Sequence, residues 1–333
     1  MDIGVAGVGR IGQMHAAHLA ELDGDAAPDK ILLFDPVPGR AEAVAAALPS
    51  HVTAVASFDD LLAADGVLVA TPTDTHSDLV RRAVRGRTPV LCEKPLAGDL
   101  ESMTTLVDNI ESSGVDVVVG FQRRFDPATV EAYRRVRSGE AGQVYLVRSS
   151  VLDHVPPPKE YIPTSGGLFK DCMIHDLDAV PWLVGEEVVE VSASGSVLVD
   201  QAFADAGDVD YAVVTLRFAS GAHAQMTAGR HDPIGYDCKL EVYGSKQVLA
   251  VGWNERTPVV RLEPQQVEPT RPWESFMDRY KDAYLNELRV FADVIEGKVA
   301  NPSPARESLY SLRLAEACDE SLRTGKPVRL EAG

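Results

Sequence analysis

The chain has 333 residues, 45% of them hydrophobic and 25% charged. That is the make-up of an ordinary globular protein, with length enough for about two domains. A net charge of −18 disfavours nucleic acid or an anionic membrane as a partner, and no apolar run is long enough to span a bilayer.

The chain enters a strand at once, over 3–6, with no basic or cleavable apolar leader, so a cytoplasmic protein is expected. Next come Gly7, Val8, Gly9, Arg10, Ile11 and Gly12, then a helix over 13–22. This is G-x-G-x-x-G between a strand and a helix, the setting a dinucleotide site requires. Gly7 permits the tight turn, Gly9 lets backbone approach a pyrophosphate, and Gly12 lets helix and strand pack closely. The N–H groups opening the helix then face the anion. His15 and His18 on that helix read as packing or surface residues. A second strand over 31–34 ends at Asp35, where a carboxylate meets ribose hydroxyls and repels a 2′-phosphate. NAD is therefore the expected cofactor. Arg40 keeps NADP open, because a guanidinium there can pair with a 2′-phosphate.

Helices over 41–48 and 59–64 lead to a buried strand over 66–70, then Thr71, Pro72, Thr73 and His76, and a helix over 77–85. A strand over 89–92 leads to Glu93, Lys94 and Pro95. A helix over 100–112 and a strand over 116–120 follow. Strands alternating with helices predict a doubly wound parallel sheet, whose ligands lie beyond the carboxyl ends of the strands. Thr71, Pro72, Glu93 and Lys94 lie at such ends, with Thr73 and His76 in the same segment, so all six are candidates for the cofactor crevice. Lys94, held by the rigid Pro95, has the reach for both a nicotinamide ribose and a substrate hydroxyl.

The segment 155–167, VPPPKEYIPTSGG, reads as an extended surface loop. After it the pattern turns helical, with Phe169, Met173, Leu177 and Val180 at helical spacing. Asp171 and His175 then fall one turn apart on one helix face, and Asp178 continues the stripe. A carboxylate beside an imidazole can hold a general base in the right tautomer. The plainer reading is a solvated face; the cofactor site and lysine upstream weigh against it. From 143 onward the period is two: strands over 144–151, 188–199, 210–218, 222–230, 239–243 and 247–251, with hairpin turns at Ser220-Gly221 and Gly244-Ser245. An open antiparallel sheet is predicted, one face on helices and the other available to a second subunit, giving a homodimer or homotetramer. Helices over 282–296 and 306–323 close the chain. Tyr236 and Tyr280 are candidates for a pocket rim, though structural roles suit both. Trp182, Trp253 and Trp273 are assigned to core or interface. Cys92, Cys172, Cys238 and Cys318 show no C-x-x-C or zinc spacing, so reduced, mostly buried thiols and no metal are expected.

Three pieces in this order, GVGRIG, EKP after Cys92, and D-x-x-x-H-D after paired glycines, resemble the Gfo/Idh/MocA oxidoreductase family. FDPVPGRAE, GFQRRFDPA and GGLFKDCMIHDLD are most similar to its inositol 2-dehydrogenase branch. The resemblance covers essentially the whole chain. It implies a Rossmann domain over 1–122 and an α+β domain over 123–333 for substrate binding and oligomerisation. It implies oxidation of a secondary hydroxyl of a cyclitol or sugar. Lys94, Asp171 and His175 would form the catalytic group, and Asp35 the ribose-binding acid. Gln122 and Arg123 would lie near nicotinamide and substrate, and Asp153 near substrate hydroxyls. Two other readings stay open: an NADP-dependent reductase of a sugar or nucleotide-sugar ketone, and a non-catalytic NAD-binding regulator.

Overall fold

The computed structural model describes residues 1–252 and 272–330; Trp253 lies outside them. The chain forms two compact units. The first takes in 1–126 and 282–310, the second 127–281 and 311–333.

The first unit alternates β1 (Asp2–Ala6), α1 (Arg10–Glu21), β2 (Lys30–Phe34), α2 (Arg40–Ala46), β3 (Val52–Ala54), α3 (Phe58–Leu61), β4 (Gly66–Val69), α4 (Thr73–Arg85), β5 (Val90–Glu93), α5 (Leu100–Ser113) and β6 (Val117–Gly120). The strands pair in parallel in the order β3-β2-β1-β4-β5-β6. Helices cover such a sheet on both sides, which is why VLV in β4 and VVV in β6 read as unbroken apolar runs. The order reverses between β1 and β4, and sheets of this kind bind ligands beyond the carboxyl ends of the strands at such a point. β3 is too short for periodicity to signal. α4 starts four residues before its expected start, because its polar first turn precedes the apolar stripe; Thr75 Oγ1 closes that turn on the Pro72 carbonyl at 2.7 Å. The returning segment 282–310 was expected in the second domain. Leu288, Phe291 and Val294 instead join Ile3, Val5, Leu33, Leu68 and Leu91 in one core. Val119 N–H donates to the Ser303 carbonyl at 2.8 Å and Asn301 Nδ2 to the Val117 carbonyl at 2.9 Å. These bonds cover the open edge of β6.

In the second unit, α6 (Pro127–Arg137) precedes β7 (Val144–Leu152), α7 (Leu168–Asp171), α8 (Ile174–Val184), β8 (Val188–Ser196), α9 (Gln201–Asp205), β9 (Tyr211–Phe218), β10 (His223–Gly229), β11 (Asp237–Gly244) and β12 (Val248–Val251). α10 (Phe276–Arg279) comes next. α11 (Lys281–Ile295) belongs to the first unit apart from Lys281, and α12 (Ala305–Thr324) passes from one unit to the other at Tyr310 before β13 (Val328–Arg329). The sheet runs β12-β11-β7-β10-β9-β8-β13. It is antiparallel except at its centre, where β7 enters between β10 and β11 and pairs with β10 in parallel. The inner face carries Val147, Val151, Val214, Leu216, Ala224, Met226, Leu240 and Val242, all buried. Across the outer face, register aligns Ser192, Thr215, Gln225, Arg148 and Glu241 in one row. Trp182 of α8 stacks on Tyr133 of α6, ring centroids 4.0 Å apart.

The single helix expected through Asp171 and His175 is broken. α7 ends at Asp171 and α8 begins at Ile174. Met173 N–H reaches back five residues to the Leu168 carbonyl at 2.9 Å, a wide turn that rotates α8 away from the α7 face. Asp178 does not continue a reactive stripe. It is buried and accepts from Ser311 Oγ at 3.1 Å.

Candidate functional site

In the first unit the glycine turn has the shape a dinucleotide needs. Gly7 has φ +83°, and a Cβ on Gly12 would lie 1.8 Å from the Gly7 carbonyl oxygen, so the first turn of α1 packs directly on the loop. A Cβ on Gly9 would meet nothing within 4 Å; here the backbone faces open space. No side chain caps α1 at Gly9, so the positive end of the helix is presented to whatever enters. Asp35 accepts from Val8 N–H at 3.0 Å, from Val37 N–H at 2.9 Å and from Arg40 Nη1 at 3.3 Å. Loop and acid are thus locked together, and the guanidinium that left NADP open already pairs with a carboxylate.

The carboxyl ends of β4, β5 and β6 bring the other cofactor candidates to one edge. Thr71 Oγ1 and Thr75 Oγ1 are hydrogen-bonded at 2.6 Å. His76 does not offer its ring to a ligand: it is buried, with Nδ1 2.8 Å from the Pro95 carbonyl and Nε2 2.8 Å from the Thr71 carbonyl. It ties the end of β4 to the residue after Lys94. Lys94 itself is half-buried directly after β5. Gln122 and Arg123 are buried in a short turn after β6, and Gln122 Oε1 has no hydrogen-bond partner among the described residues.

Glu93 also departs from expectation. Its carboxylate is bonded by His15 Nε2 at 2.8 Å and lies over Gly120, where an added Cβ would come within 3.2 Å. His15 is fully buried and stands edge-on to Tyr284 of α11, ring centroids 5.5 Å apart. Glu287, also on α11, completes a cluster in which one donor atom from each of His15, Glu93 and Glu287 lies within 4.8 Å of the others. Burial, with the charge of Glu93 added, pushes the Glu287 carboxyl well above the usual range and so favours its neutral form. Sequence reasoning missed this cluster, because its members are 78 residues apart or more and only the return of α11 assembles it.

In the second unit the chemistry gathers around a residue the sequence did not single out. Arg230 is 4% exposed. Its Nη1 donates to Asp153 Oδ2 at 3.2 Å and its Nη2 to Asp171 Oδ2 at 2.8 Å. Tyr161 Oη, from the proline loop, donates to Asp171 Oδ1 at 2.9 Å. Asp153 comes directly after β7 and Arg230 directly after β10, and the parallel pairing of those strands sets them at one end of the sheet. His175 is half-buried in the first turn of α8. The two rim candidates are interior. Tyr236 is buried, bridged to Trp273 and edge-on to Phe276, and Tyr280 Oη contacts Cys238 Sγ at 2.8 Å. All four cysteines are buried outside disulfides, and burial pushes the Cys92 and Cys172 thiols up, so neither is a nucleophile.

Residues 1–121 match the family model for an oxidoreductase family with an NAD-binding Rossmann fold, and 129–250 match the GFO/IDH/MocA C-terminal domain. The chain is 35% identical to an inositol 2-dehydrogenase of Rhizobium meliloti over 329 residues, covering 98% of each. It is 36% identical to a myo-inositol 2-dehydrogenase of Thermotoga maritima over 336 residues, covering 99% of each. The crystal structure of a scyllo-inositol dehydrogenase from Lactobacillus casei with bound NAD(H) and scyllo-inositol superposes with a TM-score of 0.87 at 25% identity, over 99% of this chain and 98% of that one.

Proposed function

Because the chain belongs to the Gfo/Idh/MocA oxidoreductase family, we propose that it oxidises a secondary hydroxyl of a cyclitol with NAD, myo-inositol being the first substrate to try. The observation that carries this is a pair of carboxylates, Asp153 and Asp171, gathered on one buried guanidinium, with His175 just beyond Asp171 in the chain. Such a cluster suits a ligand made of hydroxyl groups. Cofactor fit rests on the cradle at Gly7, Gly9 and Gly12 and on Asp35.

When bound, NAD accepts the hydride. Val8, Gly9, Arg10, Ile11 and Gly12 hold the pyrophosphate by backbone, and Asp35 the adenosine ribose. His175 takes the hydroxyl proton as general base. Asp171, held by donors from Arg230 and Tyr161, serves as an acceptor that orients the substrate. Lys94 polarises the alcohol oxygen and fixes the nicotinamide ribose. The unused acceptor of Gln122 suits a donor on the ligand. The test is a polyol panel with NAD and with NADP, read by reduced-nicotinamide absorbance, on wild type, His175→Ala and Lys94→Ala. Each variant should lose about 10²-fold or more in kcat, the range of acid–base groups. Undiminished turnover in both would remove these assignments.

The same reading puts the enzyme in the cytoplasm as a homodimer or homotetramer that joins through the outer face of the second sheet. Among the described residues, no helix is long and apolar enough to cross a membrane.

A further inference from the structure

We infer that Arg230 is the positioning residue of the substrate half, holding Asp153 and Asp171 ionised and side by side as a matched pair of acceptors for neighbouring hydroxyls. The inference rests on the polyol reading and names what selects the substrate.

Burial sets the first requirement. A guanidinium that is 4% exposed is tolerated only with charged partners. Here the fork does not close on one carboxylate but divides, one Nη to each of two. Without it the two carboxylates would repel, and one would take up a proton. With it, one cation lies between the two carboxylates, and each keeps acceptor oxygens for hydroxyl protons. The geometry is fixed from three sides. Asp153 N–H donates to the Gly229 carbonyl at 2.9 Å, Arg230 N–H to the Asp210 carbonyl at 2.8 Å, and Tyr161 Oη to Asp171 Oδ1 at 2.9 Å. A carboxylate oxygen carries two lone pairs, so an oxygen that accepts from the protein can accept again from a ligand hydroxyl. Among the described residues, the titratable groups around this cluster include Tyr161, bonded to Asp171, and Cys172 directly after α7, with Asp176 near the thiol; burial pushes that thiol up and keeps it neutral. Arg230 touches no reacting atom; it acts through the two acids.

The experiment compares wild type, Arg230→Ala and Arg230→Lys, using intact protein. For myo-inositol with NAD, kcat/KM should fall about 10²-fold in the alanine variant, the cost of misplacing a substrate-orienting group by about 1 Å. NAD affinity, measured by titration without polyol, should be that of wild type. Arg230→Lys, which keeps the charge but not the fork, should recover part of the loss. Added guanidinium ion should restore turnover to Arg230→Ala, a rescue that a merely structural arginine would not give. A second readout needs no substrate: carbon-13 NMR of the Asp153 and Asp171 carboxyls at neutral pH. Both should be ionised in wild type, and one of them protonated in Arg230→Ala. Should wild type turn over no polyol, the functional reading falls, while the carboxyl spectra still decide whether Arg230 holds the pair. Wild-type kcat/KM in Arg230→Ala, or carboxyls unchanged by the substitution, would overturn the inference. If the alanine variant does not fold, Arg230→Lys carries both measurements, and wild-type values in it count against the proposal.

Discussion

A buried acid shows how far one side chain can depart from its ordinary chemistry. Glu287 is completely buried against Glu93 and His15, and its carboxyl is pushed well above its ordinary value of 4.5. A carboxyl with a raised pKa binds more protons in the folded than in the unfolded chain. Its contribution is therefore full below pH 4.5 and is lost as pH rises through the folded value. Glu287→Gln keeps the shape without the titration. Its melting temperature should decline less steeply than that of wild type on the alkaline side, by about 2–4 °C per kcal/mol recovered. Parallel melting curves across pH would refute the buried-acid account. Asp35 gives a second test at this scale. It accepts two backbone N–H groups and the Arg40 guanidinium. Asp35→Ser should release Arg40 toward a 2′-phosphate and raise the NADP-to-NAD ratio of kcat/KM by about tenfold or more, read from initial rates with each cofactor.

The turn between β1 and α1 separates what a glycine does for folding from what it does for binding. Gly12 has no room for a side chain, since its Cβ would sit 1.8 Å from the Gly7 carbonyl oxygen. Gly9 has ample room and backbone angles open to other residues, φ −69° and ψ −164°. Gly12→Val should therefore lose about 3 kcal/mol or more of stability, as overpacked sites do. Gly9→Val should melt within a few degrees of wild type yet bind NAD at least about tenfold more weakly, because the new side chain fills the space meant for the pyrophosphate. Calorimetry and NAD titration on the two variants measure both. Equal losses of stability would show that the space at Gly9 is not open. The break between α7 and α8 belongs to this scale too. D-x-x-x-H spacing reads as one continuous helix, but the five-residue step at Met173 cannot be seen in periodicity, because the apolar residues on either side still fall at buried positions.

For the whole molecule, the proposed assembly turns on the outer face of the second sheet. The expectation of an oligomer leaned on the cost of leaving a large sheet wet. The face proves polar along its central row, with Ser192, Thr215, Gln225, Arg148 and Glu241 in register and Arg148 paired to Glu241 at 3.4 Å. Such a row is stable in water, so in the proposed assembly a second copy would be held by hydrogen bonds and shape complementarity. Light scattering should give a multiple of the 35.9 kDa chain mass. Thr215→Glu with Gln225→Glu, which places new like charges on the face, should shift the mass toward the single chain. A monomer at micromolar concentration in wild type would remove the assembly.

By itself the sequence determined what depends on neighbours along the chain. The glycine turn needs a strand before it and a helix after it, apolar runs mark parallel strands buried on both faces, and alternation marks the second sheet. Each is a local pattern with a local physical cause. The tertiary structure alone decided which distant groups meet. It brought α11 back into the first unit and placed Glu287 on His15 and Glu93. It inserted β7 beside β10, and so set Asp153 and Arg230 at one sheet end. It turned His76 inward onto two backbone carbonyls. Those arrangements arise from long-range packing and from the need of buried charges for partners, and no spacing in the chain records them.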